Sequence, residues 1–327
     1  MSNDYLAWGW TPGAGLDGLH LLRKPLPTPG PGEVLVANRA IALNPVDWKI
    51  VEWGHAAWSQ DHVPGVDGVG RVVATGAGCD LALGSRVAYH QWLGRDGSFA
   101  EYTLLDADAL LALPGGLDEA RAAALPCPAL TAWQALEKVP GGGPRDVLVV
   151  GAGGAVGLFL AQLAVRRGWR VWATAATEHR EPLLGLGVLG VFDYRRADWR
   201  DALAQCLGER SLFAVFDTVS GEHAAGLASL LGYNGHLVCI QDRLESAPLP
   251  AFGTAISLHE VALNSIHSHA GGADRADLRR AASRLLHDLR DGDLRLPPLL
   301  SFDFQALPQA LRALRDGSRK GKWIARL

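Results

Sequence analysis

The segment that most restricts this chain runs from residue 147 to residue 168. Val147, Leu148, Val149 and Val150 meet a glycine cluster, Gly151, Gly153, Gly154 and Gly157, ahead of an apolar stretch that stops at Gly168. A short unbroken apolar run fits a strand buried on both faces. The stretch after it, 155–167, has helical spacing. Glycine allows the tight turn between the two and leaves helix-start N–H groups open to a pyrophosphate. A strict GxGxxG is not met, because Val156 stands where the last glycine would fall. The expected dinucleotide contacts are therefore Gly151, Gly153, Gly154, Ala155, Val156 and Gly157. The competing reading of the same glycines is close packing in an α/β domain that holds no ligand.

Strand and helix patterns alternate beyond this turn. Strands are expected at 170–173, 190–193, 213–219 and 235–241, with 258–266 as a last strand and a helix over 178–186. That alternation predicts parallel βαβ units and an open sheet. The first 120 residues read differently, as short strands at 33–37, 40–43, 70–74 and 86–89 between glycine and proline turns. They suggest a β-rich, barrel-like unit. Helices follow at 118–124 and 129–136, then at 274–290 and up to Arg315, with a closing strand at 322–327. The expected division is 1–123 with 268–327, and 124–267.

The second strand of the alternating half ends in Thr174, Ala175, Ala176 and Thr177, with no acid to hold a ribose 2′-hydroxyl; Thr174, Ala176 and Thr177 are expected contacts of the cofactor's ribose end. Glu178 is read as a first-turn helix acid behind a Thr177 N-cap. Arg180 follows and Tyr194 closes the next strand, so a 2′-phosphate and NADPH are favoured. The other reading of Arg180 is a solvated helix residue.

Composition narrows the partners. Thirty-one basic against 34 acidic residues, a formal charge of −3, leave no footprint for nucleic acid or an anionic membrane. The first ten residues lack a signal-peptide pattern, and a cytoplasmic location is the default expectation. Cys79, Cys127, Cys206 and Cys239 are too scattered for a disulfide framework or a cysteine zinc knot, and are read as core or near-core residues.

Several ordered segments then become specific. Asn44-Pro45-Val46-Asp47-Trp48-Lys49, Pro64-Gly65-Val66-Asp67-Gly68-Val69-Gly70, Gly97-Ser98-Phe99-Ala100-Glu101-Tyr102, Leu130-Thr131-Ala132-Trp133-Gln134-Ala135-Leu136 and the 152–157 turn stand in order along nearly the whole length. The chain resembles the medium-chain dehydrogenase/reductase superfamily, in its zinc-independent quinone oxidoreductase-like branch. The resemblance implies an α/β fold with a GroES-like β-barrel catalytic domain and a Rossmann doubly wound parallel-sheet cofactor domain. It also implies a homodimer, and it places Asn44 and Lys49 beside the nicotinamide. Thr131 resembles the threonine at the carboxamide. Thr218, Val219, Ile240 and Gln241 lie where the family's strand ends pass the cofactor. Lys322 resembles a terminal lysine that reaches a cofactor phosphate; the other reading is a solvated lysine entering an edge strand.

Zinc-dependent relatives carry a cysteine in the first of these loops and a His-Glu pair in the second. Here Asp47 and Val66-Asp67 stand there, and no metal is expected. Without a Lewis acid, NADPH-dependent hydride transfer to a quinone or an α,β-unsaturated carbonyl remains feasible. Lys49 is the candidate donor to the carbonyl oxygen, Asp47 orients its loop or caps a helix starting at Trp48, and Tyr89 is a second candidate donor. Trp48, Trp53, Trp58 and Trp92 are read as an apolar wall for a flat substrate or as core, and His90 is placed at the substrate pocket, ahead of a loop (91–96) that lines it in relatives. An enoyl reductase acting on acyl thioesters and a non-catalytic NADPH-binding structural or interaction protein are the alternative functions.

Overall fold

The computed structural model describes residues 4–219 and 221–327. Met1 to Asn3, part of the stretch read for a signal peptide, lie outside the described residues, as does Ser220. The chain forms two units, 1–127 with 264–327, and 128–263, each limit four residues from the one expected.

The first unit is built around one long strand, Glu33–Ala42. Two separate strands were expected here, with the polar pair Asn38-Arg39 between them. The chain continues through because Asn38 is satisfied inside. Its Nδ2 donates to Ala100 O at 2.8 Å and to Thr103 Oγ1 at 2.9 Å, and its Oδ1 accepts from the Tyr89 hydroxyl at 2.7 Å. Irregular register at positions 35–36 and 38–40 absorbs the extra residue and bends the strand. Antiparallel to it run Asp67–Thr75, Tyr102–Asp106 and, at its far end, Lys322–Arg326. Arg86–His90, Leu110–Ala112 and Leu299–Phe302 extend the sheet to seven strands. Val34, Val36, Val72, Val87, Tyr89, Leu105 and Leu110 fill its interior.

A hairpin, Asp4–Gly9 with His20–Pro25, packs beside it. Two helices, Pro45–Trp53 and Leu307–Arg315, close over a second core that holds Trp8, Trp10, Val51, Trp58 and Trp323. The first helix begins earlier than expected. Pro45 takes the first turn, where its missing N–H costs nothing, and Asn44 is the N-cap.

The second unit is a six-stranded parallel sheet. In chain order its strands are Asp146–Val150, Arg170–Thr174, Gly190–Phe192, Leu212–Asp217, Leu231–Cys239 and Ser257–Glu260. Their spatial order is third, second, first, fourth, fifth, sixth. That is the doubly wound arrangement, with its reversal of direction between the first and fourth strands. The last strand is four residues, not nine, because its partner stops at Cys239 and Val261 N–H closes the ladder there. The chain then turns into short helical pieces at 263–265 and 266–269.

Candidate functional site

The glycine turn sits at the carboxyl end of the first parallel strand. Gly151 has φ +73°, a left-handed conformation that an L side chain rarely adopts. Helix Ala155–Arg166 starts from Gly154 with no side-chain cap. Leu158 N–H makes the first helical bond, to Gly154 O at 2.9 Å. The amides of Ala155, Val156 and Gly157 come before it and form the positive end of a three-turn helix. A Cβ at Gly157 would lie 2.4 Å from Gly151 O, so only glycine lets this helix seat against the turn. Those open amides, with no side chain over Gly154, suit the pyrophosphate of a dinucleotide.

Thr174 and Thr218 hold the turn itself. Gly151 N–H donates to Thr174 Oγ1 at 3.2 Å, and Thr218 Oγ1 donates to Val150 O at 2.8 Å. Thr174 is buried, which removes it from the expected ribose contacts. Thr131 and Ile240 are buried, Gln241 is exposed, and Val219 is exposed with its N–H on Asp217 Oδ1 at 2.9 Å.

At the end of the second strand, Ala176 is half-buried while Thr177, Arg180 and Tyr194 are exposed. Thr177 is not an N-cap. Ala176 holds that place, and Thr177 Oγ1 donates to Asp193 Oδ2 at 2.9 Å. Arg195 grips the same carboxylate through Nε at 2.8 Å and Nη2 at 2.5 Å, which holds Asp193 well below the usual carboxylate range. The sequence reading missed Asp193 and Arg195. The signal was their place after the third strand, where Phe192 pairs with Thr174. It also missed His179, whose ring lies 2.5 Å from where a Cβ on Gly153 would stand. Arg180 makes no ion pair among the described residues.

The first unit gathers a second set of polar residues, and sheet register explains why. Asp67 pairs with His90 across one ladder and with Ala42 across the other, while Ala42 pairs with Ile324. Two residues past Ala42 and two before Ile324, Asn44 and Lys322 arrive at the same level. His90 Nδ1 lies 2.9 Å from Asp67 Oδ1, and Asn44 Nδ2 donates to Asp67 Oδ2 at 2.9 Å. Lys322 donates to Asn44 Oδ1 and lies 3.8 Å from Asp67 Oδ2. The N–H of Cys127, in the first turn of helix Pro126–Glu137, donates to both Asp67 oxygens at 3.0 and 3.1 Å. Asn264 reaches His90 Nε2 at 3.3 Å, and the His267 ring stacks on His90 at 6.0 Å. Burial pushes His267 down to about 4.

This network changes several expectations. Asn44 has both side-chain atoms engaged inside the unit, as a bridge between Lys322 and Asp67. Lys322 is buried, neither a solvated lysine nor a group free for a phosphate. His90, expected at a substrate pocket, is buried in the network. Cys127 is half-buried beside it, not plain core. Asp47 is fully buried in the first turn of helix Pro45–Trp53, accepting from Asn44 N–H at 2.6 Å and Val66 N–H at 3.2 Å, so it positions two loops and touches no substrate. Tyr89 is fully buried, its hydroxyl spent on Asn38 and Thr103, so it is no substrate donor. Gly68 lies against that ring, where a Cβ would meet the phenol oxygen at 2.2 Å.

The tryptophans do not form one wall. Trp58 is core, edge-on to Trp10 at 5.2 Å, and Trp48 packs on the same core. Trp92 lies over Gly94. Trp53 is 73% exposed. Lys49 is half-buried, with its ammonium 5.8 Å from the Trp48 ring and 5.9 Å from the Trp53 ring. No helix among the described residues is long and apolar enough to cross a membrane.

Comparison with known proteins agrees with this geometry. The family model described as alcohol dehydrogenase GroES-like domain matches residues 30–115, and the one described as zinc-binding dehydrogenase matches residues 186–324. A quinone oxidoreductase of Sus scrofa is 30% identical over 248 residues, 73% of this chain and 74% of that protein. A trans-enoyl reductase of Aspergillus flavipes is 33% identical over 192 residues, 54% of this chain and 56% of that protein. A phthioceranic/hydroxyphthioceranic acid synthase of Mycobacterium tuberculosis is 27% identical over 305 residues, and the chain spans only 14% of its length. Among solved structures, an alcohol dehydrogenase superfamily protein from Novosphingobium aromaticivorans superposes with TM-score 0.86 at 26% identity, over 99% of both chains. This chain belongs to the medium-chain dehydrogenase/reductase superfamily, quinone-oxidoreductase-like, whose members bind a nicotinamide cofactor.

Proposed function

We propose that the protein is an NADPH-dependent reductase that works without zinc and delivers hydride to a quinone or an α,β-unsaturated carbonyl compound. The observation that carries the cofactor choice is the end of strand Arg170–Thr174. No acid stands on residues 174–177, and Arg180 is exposed beside them with no ion-pair partner among the described residues. Asp193, which meets the end of this strand through Thr177, is held by Arg195 and Thr177 and is not open to a ribose hydroxyl. A guanidinium there favours a 2′-phosphate.

NADPH, when bound, supplies the hydride. The chain's own share is to hold and polarise. The amides of Ala155, Val156 and Gly157 hold the pyrophosphate, and Arg180 and Tyr194 flank the 2′-phosphate. A conjugated acceptor is already electrophilic, so it needs a donor at its carbonyl oxygen more than a Lewis acid. Lys49 is that donor. Its ammonium, flanked by two indole faces, stabilises charge that develops on the oxygen.

The test is NADPH oxidation with 9,10-phenanthrenequinone, 1,4-benzoquinone and a panel of enones. Turnover of at least one is expected, with a lowered kcat in Lys49→Ala. Tight NADPH binding without turnover of any acceptor would instead favour a non-catalytic NADPH-binding protein. The trans-enoyl reductase relative favours a second reading, reduction of an enoyl thioester. A crotonyl thioester of N-acetylcysteamine in the same assay separates the two.

A further inference from the structure

Asp67, His90 and Cys127 each offer one ligand atom, and these atoms lie within 4.8 Å of one another. Sulfur, imidazole nitrogen and carboxylate oxygen are the donors zinc takes, and on one tetrahedral ion they would stand roughly 3.5 Å apart. The cluster is therefore close to a metal geometry.

Its hydrogen bonds do not fit a bound ion. Asp67 Oδ1 is taken by His90 Nδ1 at 2.9 Å and by Cys127 N–H, and Oδ2 by Asn44 Nδ2 at 2.9 Å and again by Cys127 N–H. The His90 nitrogen that faces the cluster points at a carboxylate oxygen and so carries a hydrogen, which a metal would have to displace. The decisive group is Lys322. Its ammonium is buried 3.8 Å from Asp67 Oδ2 and anchored on Asn44, so positive charge is already in place.

We propose that Lys322 brings to this cluster, from within the chain, the charge a divalent ion would otherwise bring, and that Asp67, His90 and Cys127 form a latent site for a borderline metal such as zinc which the lysine keeps closed. Removing the lysine leaves a fully buried carboxylate uncompensated, and a cation is then drawn in. This deepens the zinc-independent part of the function proposed above. The readout is metal content, not turnover, so the two can fail separately.

The full-length native protein, Lys322→Met and Lys322→Met/Cys127→Ser are stripped with a chelator and loaded with cobalt(II) or zinc. Metal is counted by atomic emission, and cobalt ligation is read from thiolate-to-cobalt absorption. Native protein is expected to show no Cys127-dependent band, Lys322→Met one bound ion with the band, and the double variant neither. A Cys127-dependent band in the native protein overturns the proposal, and so does a folded Lys322→Met that takes up no cobalt. If Lys322→Met does not fold, Lys322→Gln keeps the hydrogen bond to Asn44 without the charge and replaces it. Independently of any variant, the rate at which iodoacetamide alkylates Cys127 in native protein is expected to be the same with and without zinc. Protection by zinc overturns the proposal.

Discussion

Asp47 Oδ2 accepts the backbone N–H of Asn44 at 2.6 Å, closing the first turn of helix Pro45–Trp53. The carboxyl is wholly buried, and burial pushes it up to about 7 from 3.8. The folded chain thus binds a proton between about pH 4 and pH 7 that the unfolded chain has released. Stability on this account is unpenalised below that window and falls as pH rises through it, by about 1.4 kcal/mol per pH unit. Asp47→Asn lacks the titration. Urea unfolding at pH 4 and pH 7 is expected to show the native protein losing up to about 4 kcal/mol relative to the variant. A constant difference contradicts the assignment.

Tyr89→Phe removes a hydroxyl that serves Asn38 and Thr103 inside the barrel. The expected loss is about 1–3 kcal/mol of stability, because Asn38 Oδ1 is left unpaired in the core. Once the variant is folded, kcat is expected to match the native value. A selective fall in kcat without a fall in stability would return Tyr89 to the substrate.

Gly157→Val places carbon where Gly151 O already stands. Helix Ala155–Arg166 must then shift away from the turn, costing about 1–3 kcal/mol. NADPH binding, followed by its fluorescence, is expected to disappear with it. Retained affinity would mean that the amides at residues 155–157 do not hold the pyrophosphate.

Arg180→Ala is expected to weaken NADPH by about 10–100-fold, the value of a hydrogen bond to a charged group, and to leave NADH almost unchanged. Titration of both cofactors decides it. An equal loss for both assigns Arg180 to the helix surface.

Arg195→Ala should act in the opposite sense on NADH. It releases Asp193, which then has a carboxylate open to a ribose 2′-hydroxyl. The NADPH-to-NADH affinity ratio is expected to fall through a gain in NADH. No gain would mean that Thr177 alone keeps Asp193 occupied.

Local pattern was enough for everything that local chemistry decides. Residues 147–157 announce a buried strand, a glycine turn and a helix, because each rests on neighbours a few positions away. The absence of an acid on residues 174–177 is equally a local fact. The same pattern misjudged elements whose limits lie in a distant partner. The strand Glu33–Ala42 runs unbroken because Ala100 and Thr103 satisfy Asn38, and strand Ser257–Glu260 stops because Cys239 does.

Side-chain roles divide the same way. The types and order of Asn44, Asp47, Lys49 and Asp67 are visible along the chain and identify the family. Which of them are engaged with each other is not. Lys322 stands 278 positions from the asparagine it grips, and only the register of four adjacent strands brings it to Asp67 and His90. The sequence by itself determined a glycine turn between strand and helix on an α/β sheet, because backbone freedom and periodicity are written in neighbouring residues. Only the tertiary structure decided that Tyr89 and Asp47 are buried supports and that a lysine sits beside the metal-like donors, because burial and charge pairing depend on which distant strands meet.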